Sequence, residues 1–292
     1  MQISQKLLMT ALLCLISIST VMPLKLHGDL RNRYREVYFE LTYSSGMFAI
    51  FGSVLGALDL YDQGDMGGLK VNLDEGVYLD SATGPNWWEY FFESIDLGDN
   101  LLPPYKCSQE EGEELAYRGL PLPPWRGNDL IQKYVRIKPD IQKAADRYVK
   151  SNFEQYFIIG VHHRGTDKII EWPLVAYEKT YQTLNEITSR LSIADRERLK
   201  IYVATDDQYF LTFLENQFPS HVISNNFIRS TDGTPLHWGV ENKYTSNYQK
   251  GREALIDCLL LSKCHILIRP TSSCLSLMSC CFNPNMPVIS LN

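Results

Sequence analysis

Residues 157–171 read Phe-Ile-Ile-Gly-Val-His-His-Arg-Gly-Thr-Asp-Lys-Ile-Ile-Glu, an uncharged apolar run that passes at once into a dense set of polar and charged side chains. Phe157 to Val161 has the composition of a central parallel strand, buried on both faces. Ligands of open α/β sheets collect in the crevice outside the carboxyl ends of such strands. His162, His163, Arg164, Asp167, Lys168 and Glu171 therefore stand where a ligand would bind. The plainer alternative is a solvated strand-to-loop junction with an internal Arg–Asp pair.

Working outward from that stretch, strands are expected at 156–162, 199–204, 221–224, 265–269 and 287–291. Helices between them are expected at about 175–191, 207–217, 250–262 and 273–281. Short connections between alternating strands and helices indicate a parallel sheet flanked by helices. Two more strand ends carry polar residues: Thr205-Asp206-Asp207 after Lys200–Ala204, and Arg269-Pro270-Thr271-Ser272-Ser273 after His265–Ile268. A carboxylate at the first can cap the next helix or accept the ring N–H and amino group of a guanine, with Asp206 and Asp207 dividing the two tasks. Hydroxyls and free N–H groups at the second, a helix start, suit a diphosphate as well as an ordinary cap.

The amino-terminal half is less regular. Residues 1–23 hold a charge-free stretch, Leu7 to Met22, between Lys6 and Pro23, which reads either as a cleaved signal peptide or as a signal anchor slightly short of the ~20 apolar residues that span a bilayer. Val37–Thr42 is expected as a strand, Tyr43–Met47 as a Gly-containing turn, Phe48–Leu60 as a helix and Leu69–Leu73 as extended. In the aromatic run Trp87-Trp88-Glu89-Tyr90-Phe91-Phe92, the phenylalanines suit a core, and the tryptophans suit either a core or a platform for a sugar acceptor. Leu101–Pro124, with five prolines around the acidic residues Glu110–Glu114, is expected to be irregular and surface-lying, its acidic patch a solvated face. A helix at about Pro139–Asn152 leads to the domain junction, giving a leader (1–23), an amino-terminal α/β domain (24–152) and a carboxyl-terminal domain (153–292).

Composition narrows the function classes. A net charge of −6 over 292 residues argues against a general nucleic-acid binder, which needs a basic face to displace counterions. Beyond Cys14 in the leader, Cys107, Cys258, Cys264, Cys274, Cys280 and Cys281 lack zinc-site spacing, and most fall within apolar runs, where buried thiols are favoured over bridges. A metal hydrolase would require His162, His163 and Asp167 as ligands, yet adjacent histidines in a strand point to opposite faces.

Gly160-Val161-His162-His163-Arg164-Gly165-Thr166-Asp167-Lys168, Ile201-Tyr202-Val203-Ala204-Thr205-Asp206-Asp207 and Asp257–Ser273, in this order, resemble the three peptide motifs of the fucosyltransferases that use GDP-fucose, the α-1,6 enzymes and nodulation fucosyltransferases among them. The resemblance covers nearly all of the second half and only loosely the first. It implies an α/β, GT-B-like enzyme of two Rossmann-type domains, the donor-binding one carboxyl-terminal. It further implies an inverting, metal-independent transfer of fucose from GDP-fucose to a glycan or protein hydroxyl; the leader, as signal or signal anchor, places that transfer in the lumen of a secretory pathway or outside the cell.

On that resemblance Arg164 holds the β-phosphate and His162 lies against the nucleotide, while Asp207 reads guanine. Ser272 and Ser273 lie near the diphosphate, with Asp206, Lys168 and Thr271 completing the donor set. Glu171 is the candidate base, although an ungapped match puts the family's glutamate one place away, on Trp172; Asp167 is the alternative. Many members carry a second basic residue where this chain has Gly165, which leaves Lys168 or Arg269 to compensate, or transfer slow. A binding protein that keeps the nucleotide pocket without turnover is the competing reading.

Overall fold

The computed structural model describes residues 34–166, 173–236 and 246–292. The leader at 1–23 lies outside the described residues, as do Asp167, Lys168 and Glu171. No helix among the described residues is long and apolar enough to cross a membrane. The described chain divides into two compact units, one of residues 34–142 with 246–252 and the other built from 143–236 and 253–292.

The amino-terminal unit runs β1 (Tyr38–Leu41), α1 (Met47–Asp62), β2 (Gly68–Val71), α2 (Trp88–Phe91), β3 (Asp96–Gly98), β4 (Pro104–Lys106), α3 (Gln109–Gly119) and α4 (Pro124–Tyr134), and its boundary at residue 142 falls within α5 (Pro139–Asn152). Its sheet has the order β3-β2-β1-β4, with β1 parallel to both neighbours and β3 antiparallel at one edge. Helix α1 is apolar nearly all round because it is enclosed: every residue from Met47 to Leu60 except Ala49 is buried. It meets α3 backbone to backbone, for a Cβ on Gly119 would lie 1.8 Å from Gly52 O.

Two expectations fail in this unit. Leu101–Pro124 is not an irregular surface stretch but contains strand β4 and helix α3. The helix starts on a capping box, in which Ser108 Oγ accepts from Glu111 N at 3.2 Å while Glu111 Oε2 accepts from Ser108 N at 2.9 Å. Glu111, read as part of a solvated acidic face, is buried and its other oxygen accepts from Tyr34 and Tyr105 hydroxyls at 3.0 and 2.6 Å. The prolines mark the boundaries instead: Pro104 opens β4, and Pro124 opens α4 at the position where a missing N–H costs least. Trp87 and Trp88 are both 1% exposed, so they are core and no platform; the Trp88 ring stacks 4.2 Å from that of Phe92.

The carboxyl-terminal unit continues with β5 (Phe157–His163), α6 (Tyr177–Arg190), α7 (Ile193–Glu197), β6 (Leu199–Thr205), α8 (Gln208–Gln217), β7 (Val222–Ile223), α9 (Asn247–Leu261), β8 (Ile266–Pro270), α10 (Cys274–Phe282) and β9 (Val288–Leu291). All five strands are parallel in the order β7-β6-β5-β8-β9, so β5 is central and its apolar run is buried. Ile159, Val161, Ile201, Val203, Ile268 and Leu214 belong to one apolar core, each such side chain contributing about 1.5–3 kcal/mol of transfer free energy. Val161 is level with Val203 on one side and with Ile268 on the other, which brings the carboxyl ends of β6, β5 and β8 side by side. Cys107, Cys258, Cys264 and Cys280 are free thiols and buried; Cys281 is buried as well and Cys274 half-buried.

Candidate functional site

Strand alternation sends the two histidines at the end of β5 to opposite faces. His162 Nδ1 lies 3.0 Å from Ser276 Oγ of α10. Burial first, then the nearby guanidiniums of Arg164 and Arg269, push its imidazole well below the usual histidine range, so the ring is neutral. His163 stacks on Phe210 of α8, ring centres 3.9 Å apart. Burial holds it down at about 4 against the pull of Asp206 and Asp207.

The loop leaving β5 is tied to the end of β6. Asp206 accepts from Gly165 N at 2.8 Å and from Thr166 Oγ1 at 2.7 Å, so both its oxygens are engaged in shaping that loop. Asp207, expected to read guanine, is taken up otherwise. Its Oδ1 accepts from Tyr209 N at 2.9 Å and Phe210 N at 3.4 Å as the cap of α8, and its Oδ2 accepts from the Tyr177 hydroxyl. Position 165 must be glycine for this arrangement, since a Cβ there would lie 2.6 Å from Asp207 Oδ2.

Arg164 follows directly and lines a small cleft with His163, Pro173, Leu174, Val175, Pro270 and Ser272. The first and third loops therefore meet at Arg164 and Ser272, and Asp206 fastens the second to the first. Ser273 precedes α10 as its cap residue, with no side-chain hydrogen bond to the helix. Thr271, expected among the donor ligands, is turned away: its N and Oγ1 donate to Leu291 O at 3.0 and 3.1 Å, and its hydroxyl also reaches Asn292.

Three features escaped the sequence reading. Ser276 and Tyr177, the partners of His162 and Asp207, sit in ordinary helical contexts with nothing to single them out. Asp257 did leave a signal, a carboxylate opening the apolar run Cys258–Leu261. Its Oδ1 accepts from the Tyr202 hydroxyl at 2.6 Å and from Asn225 Nδ2 at 3.0 Å, and burial raises its carboxyl to about 6. No donor reaches its Oδ2 among the described residues.

A five-stranded parallel sheet with polar loops at three adjacent carboxyl ends, preceded by a second α/β unit, defines a GT-B-like α/β protein. The profile of the NodZ family, Nodulation protein Z, matches residues 127–291, more than half of the chain. The chain belongs to that family. Nodulation protein Z of Bradyrhizobium diazoefficiens is 24% identical over a 256-residue alignment that covers 78% of this chain and 66% of that protein, so the chain spans just under two thirds of that relative. Two crystal structures of NodZ α-1,6-fucosyltransferase share the fold at 17% identity, covering 88% of this chain and 95% of theirs. The one soaked with GDP-fucose gives a TM-score of 0.58, and the one co-crystallised with GDP gives 0.59.

Proposed function

We propose that this protein is an inverting, metal-independent glycosyltransferase that moves fucose from GDP-fucose to a hydroxyl of a glycan or protein acceptor. The observation that carries the reading is the meeting of three strand-end loops around Arg164, with Ser272 in the same cleft and Asp206 binding the first two loops together. It is supported by family membership and by relatives described as an α-1,6-fucosyltransferase and obtained with GDP or GDP-fucose.

Displacement of GDP builds negative charge on the departing phosphate. Arg164 can meet that charge with two parallel charge-assisted hydrogen bonds, and the start of α10 adds backbone N–H groups and a favourable dipole. Guanine presents an N–H and an amino group to an acceptor. Asp206 and Asp207 both accept hydrogen bonds inside the protein, so either would read the base by exchanging one of those partners for it. Glu171, or Asp167 in its stead, would take the proton of the attacking hydroxyl. A lumenal or extracellular setting, reached through the leader, belongs to the same proposal.

The deciding experiment is a melting screen with GDP, UDP, ADP and CMP, followed by turnover of GDP-fucose with glycan acceptors. GDP at 100 times its dissociation constant should add about 2.7 kcal/mol to the native state. A preference for UDP overturns the donor assignment. Binding without release of GDP overturns the transfer and leaves a nucleotide-sugar-binding protein.

A further inference from the structure

Arg269 is left without a task by the donor site just described, and its surroundings give it one. It stands in β8 at 6% exposure, beside His162 of β5, because Val161 pairs with Ile268 one residue earlier. Both side chains reach the same hydroxyl, with His162 Nδ1 at 3.0 Å and Arg269 Nε at 3.1 Å from Ser276 Oγ. The other end of the guanidinium grips the turn that follows β8. Nη2 donates to Thr271 O at 3.1 Å and to Ser273 O at 2.9 Å.

A trans peptide holds its C=O and N–H antiparallel. Drawing the Thr271 and Ser273 carbonyls toward Arg269 therefore turns the N–H groups of Ser272 and Cys274 the other way. Ser272 lines the cleft with Arg164, and Cys274 is the first residue of α10, whose cap residue contributes no side-chain bond. The loop of β5 has no room for another cation next to Arg164, since any side chain at Gly165 would run into Asp207. Below this mouth, in β8, Arg269 offers a second positive charge.

We propose that Arg269 is a positioning residue for the leaving diphosphate: it holds the Thr271–Ser273 turn so that its N–H groups face the phosphates, and it adds a buried positive charge behind them. In a poorly solvated setting such a charge acts more strongly than it would at the surface. The inference rests on the reading that GDP occupies this cleft.

The test is calorimetric titration of the full chain with GDP and with guanosine, for the wild type, Arg269→Met, Arg269→Lys and Ser276→Ala. Arg269→Met should weaken GDP roughly 10- to 100-fold, the range for a hydrogen bond to a charged group, and leave guanosine unchanged. Arg269→Lys should recover only part of the loss, because an ammonium lacks the fixed fork that spans two carbonyls and a hydroxyl. Ser276→Ala, which removes only the partner of Nε, should give a smaller loss confined to GDP, and it carries the test if Arg269→Met does not fold. Equal losses for both ligands, an unchanged GDP affinity in Arg269→Met, or full recovery in Arg269→Lys overturns the role. A wild type that fails to bind GDP removes the donor reading itself, whereas a wild type that binds GDP alongside indifferent variants removes only the role of Arg269.

Discussion

Helices α8 and α10 begin at the ends of β6 and β8, the two strands that flank β5, and they are finished in opposite ways. At α8 the carboxylate of Asp207 accepts the first free N–H groups and is itself held by the Tyr177 hydroxyl. At α10 the corresponding residue is Ser273, which makes no such bond, and the charged group beneath the turn is the guanidinium of Arg269. One helix start is closed by the chain's own anion and the other is kept positive. Equivalent topology thus gives a structural joint on one side of the central strand and, on the proposed reading, a mouth for the diphosphate on the other.

The widest separation between the two ends is expected from Arg164→Ala. It should remove most of the GDP-induced rise in melting temperature and slow transfer by about 10²- to 10³-fold; retention of the full shift would break the contrast. Next comes a crossed pair of alanine variants. Asp207→Ala should lower stability by about 1–2 kcal/mol in chemical denaturation through loss of the cap while GDP still binds. Ser273→Ala should leave denaturation nearly unchanged and weaken GDP. If both variants behave alike, the two helix starts are not different in kind.

Acidity sharpens the same picture. His162 and His163 titrate below the usual histidine range, so the unfolded chain binds more protons and their contribution to stability is lost as pH falls from about 6.5 toward 4. Asp257, raised to about 6, works in the other direction, its contribution being present at low pH and lost as pH rises from about 4 to 6. Two imidazoles against one carboxyl should make the melting temperature of the ligand-free protein climb across this window. Asp257→Asn should steepen the climb, each group carrying roughly 1.4 kcal/mol per pH unit where it titrates fully. The smallest effect is expected in the amino-terminal unit, where Ser108→Ala should cost about 1 kcal/mol by urea titration and leave GDP affinity untouched.

The carboxyl-terminal unit was the more legible in the sequence because its strands are central and parallel. Runs such as Ile158–Val161 and Ile201–Ala204 are apolar without interruption, and chemistry begins where they stop. The amino-terminal unit has short strands, some only three residues long, and helices whose buried faces include Glu111 and Gly112. The Ser108-x-x-Glu111 box is a local helix-start signal in that unit, set among prolines that also suit an irregular stretch. Within the site, residue types at strand ends were visible, but not which oxygens the protein would use itself. Asp207 and Thr271 have the right chemistry for a ligand and are claimed by Tyr177 and by β9, contacts of |i−j| = 30 and 20 that no local pattern encodes.

Helix α9 belongs to both units, Ser246–Arg252 going with the first and Glu253 onward with the second. Tyr248 stacks on Phe91 with ring centres 5.7 Å apart, and a Cβ on Gly251 would come within 2.4 Å of the same phenylalanine. No single cut of the polypeptide therefore releases either half intact. A fragment ending near residue 142 would leave Phe91 bare, and one starting near 143 would carry an orphaned aromatic at the head of a helix. Any exchange of amino-terminal halves between relatives has to transplant those seven residues along with the amino-terminal block.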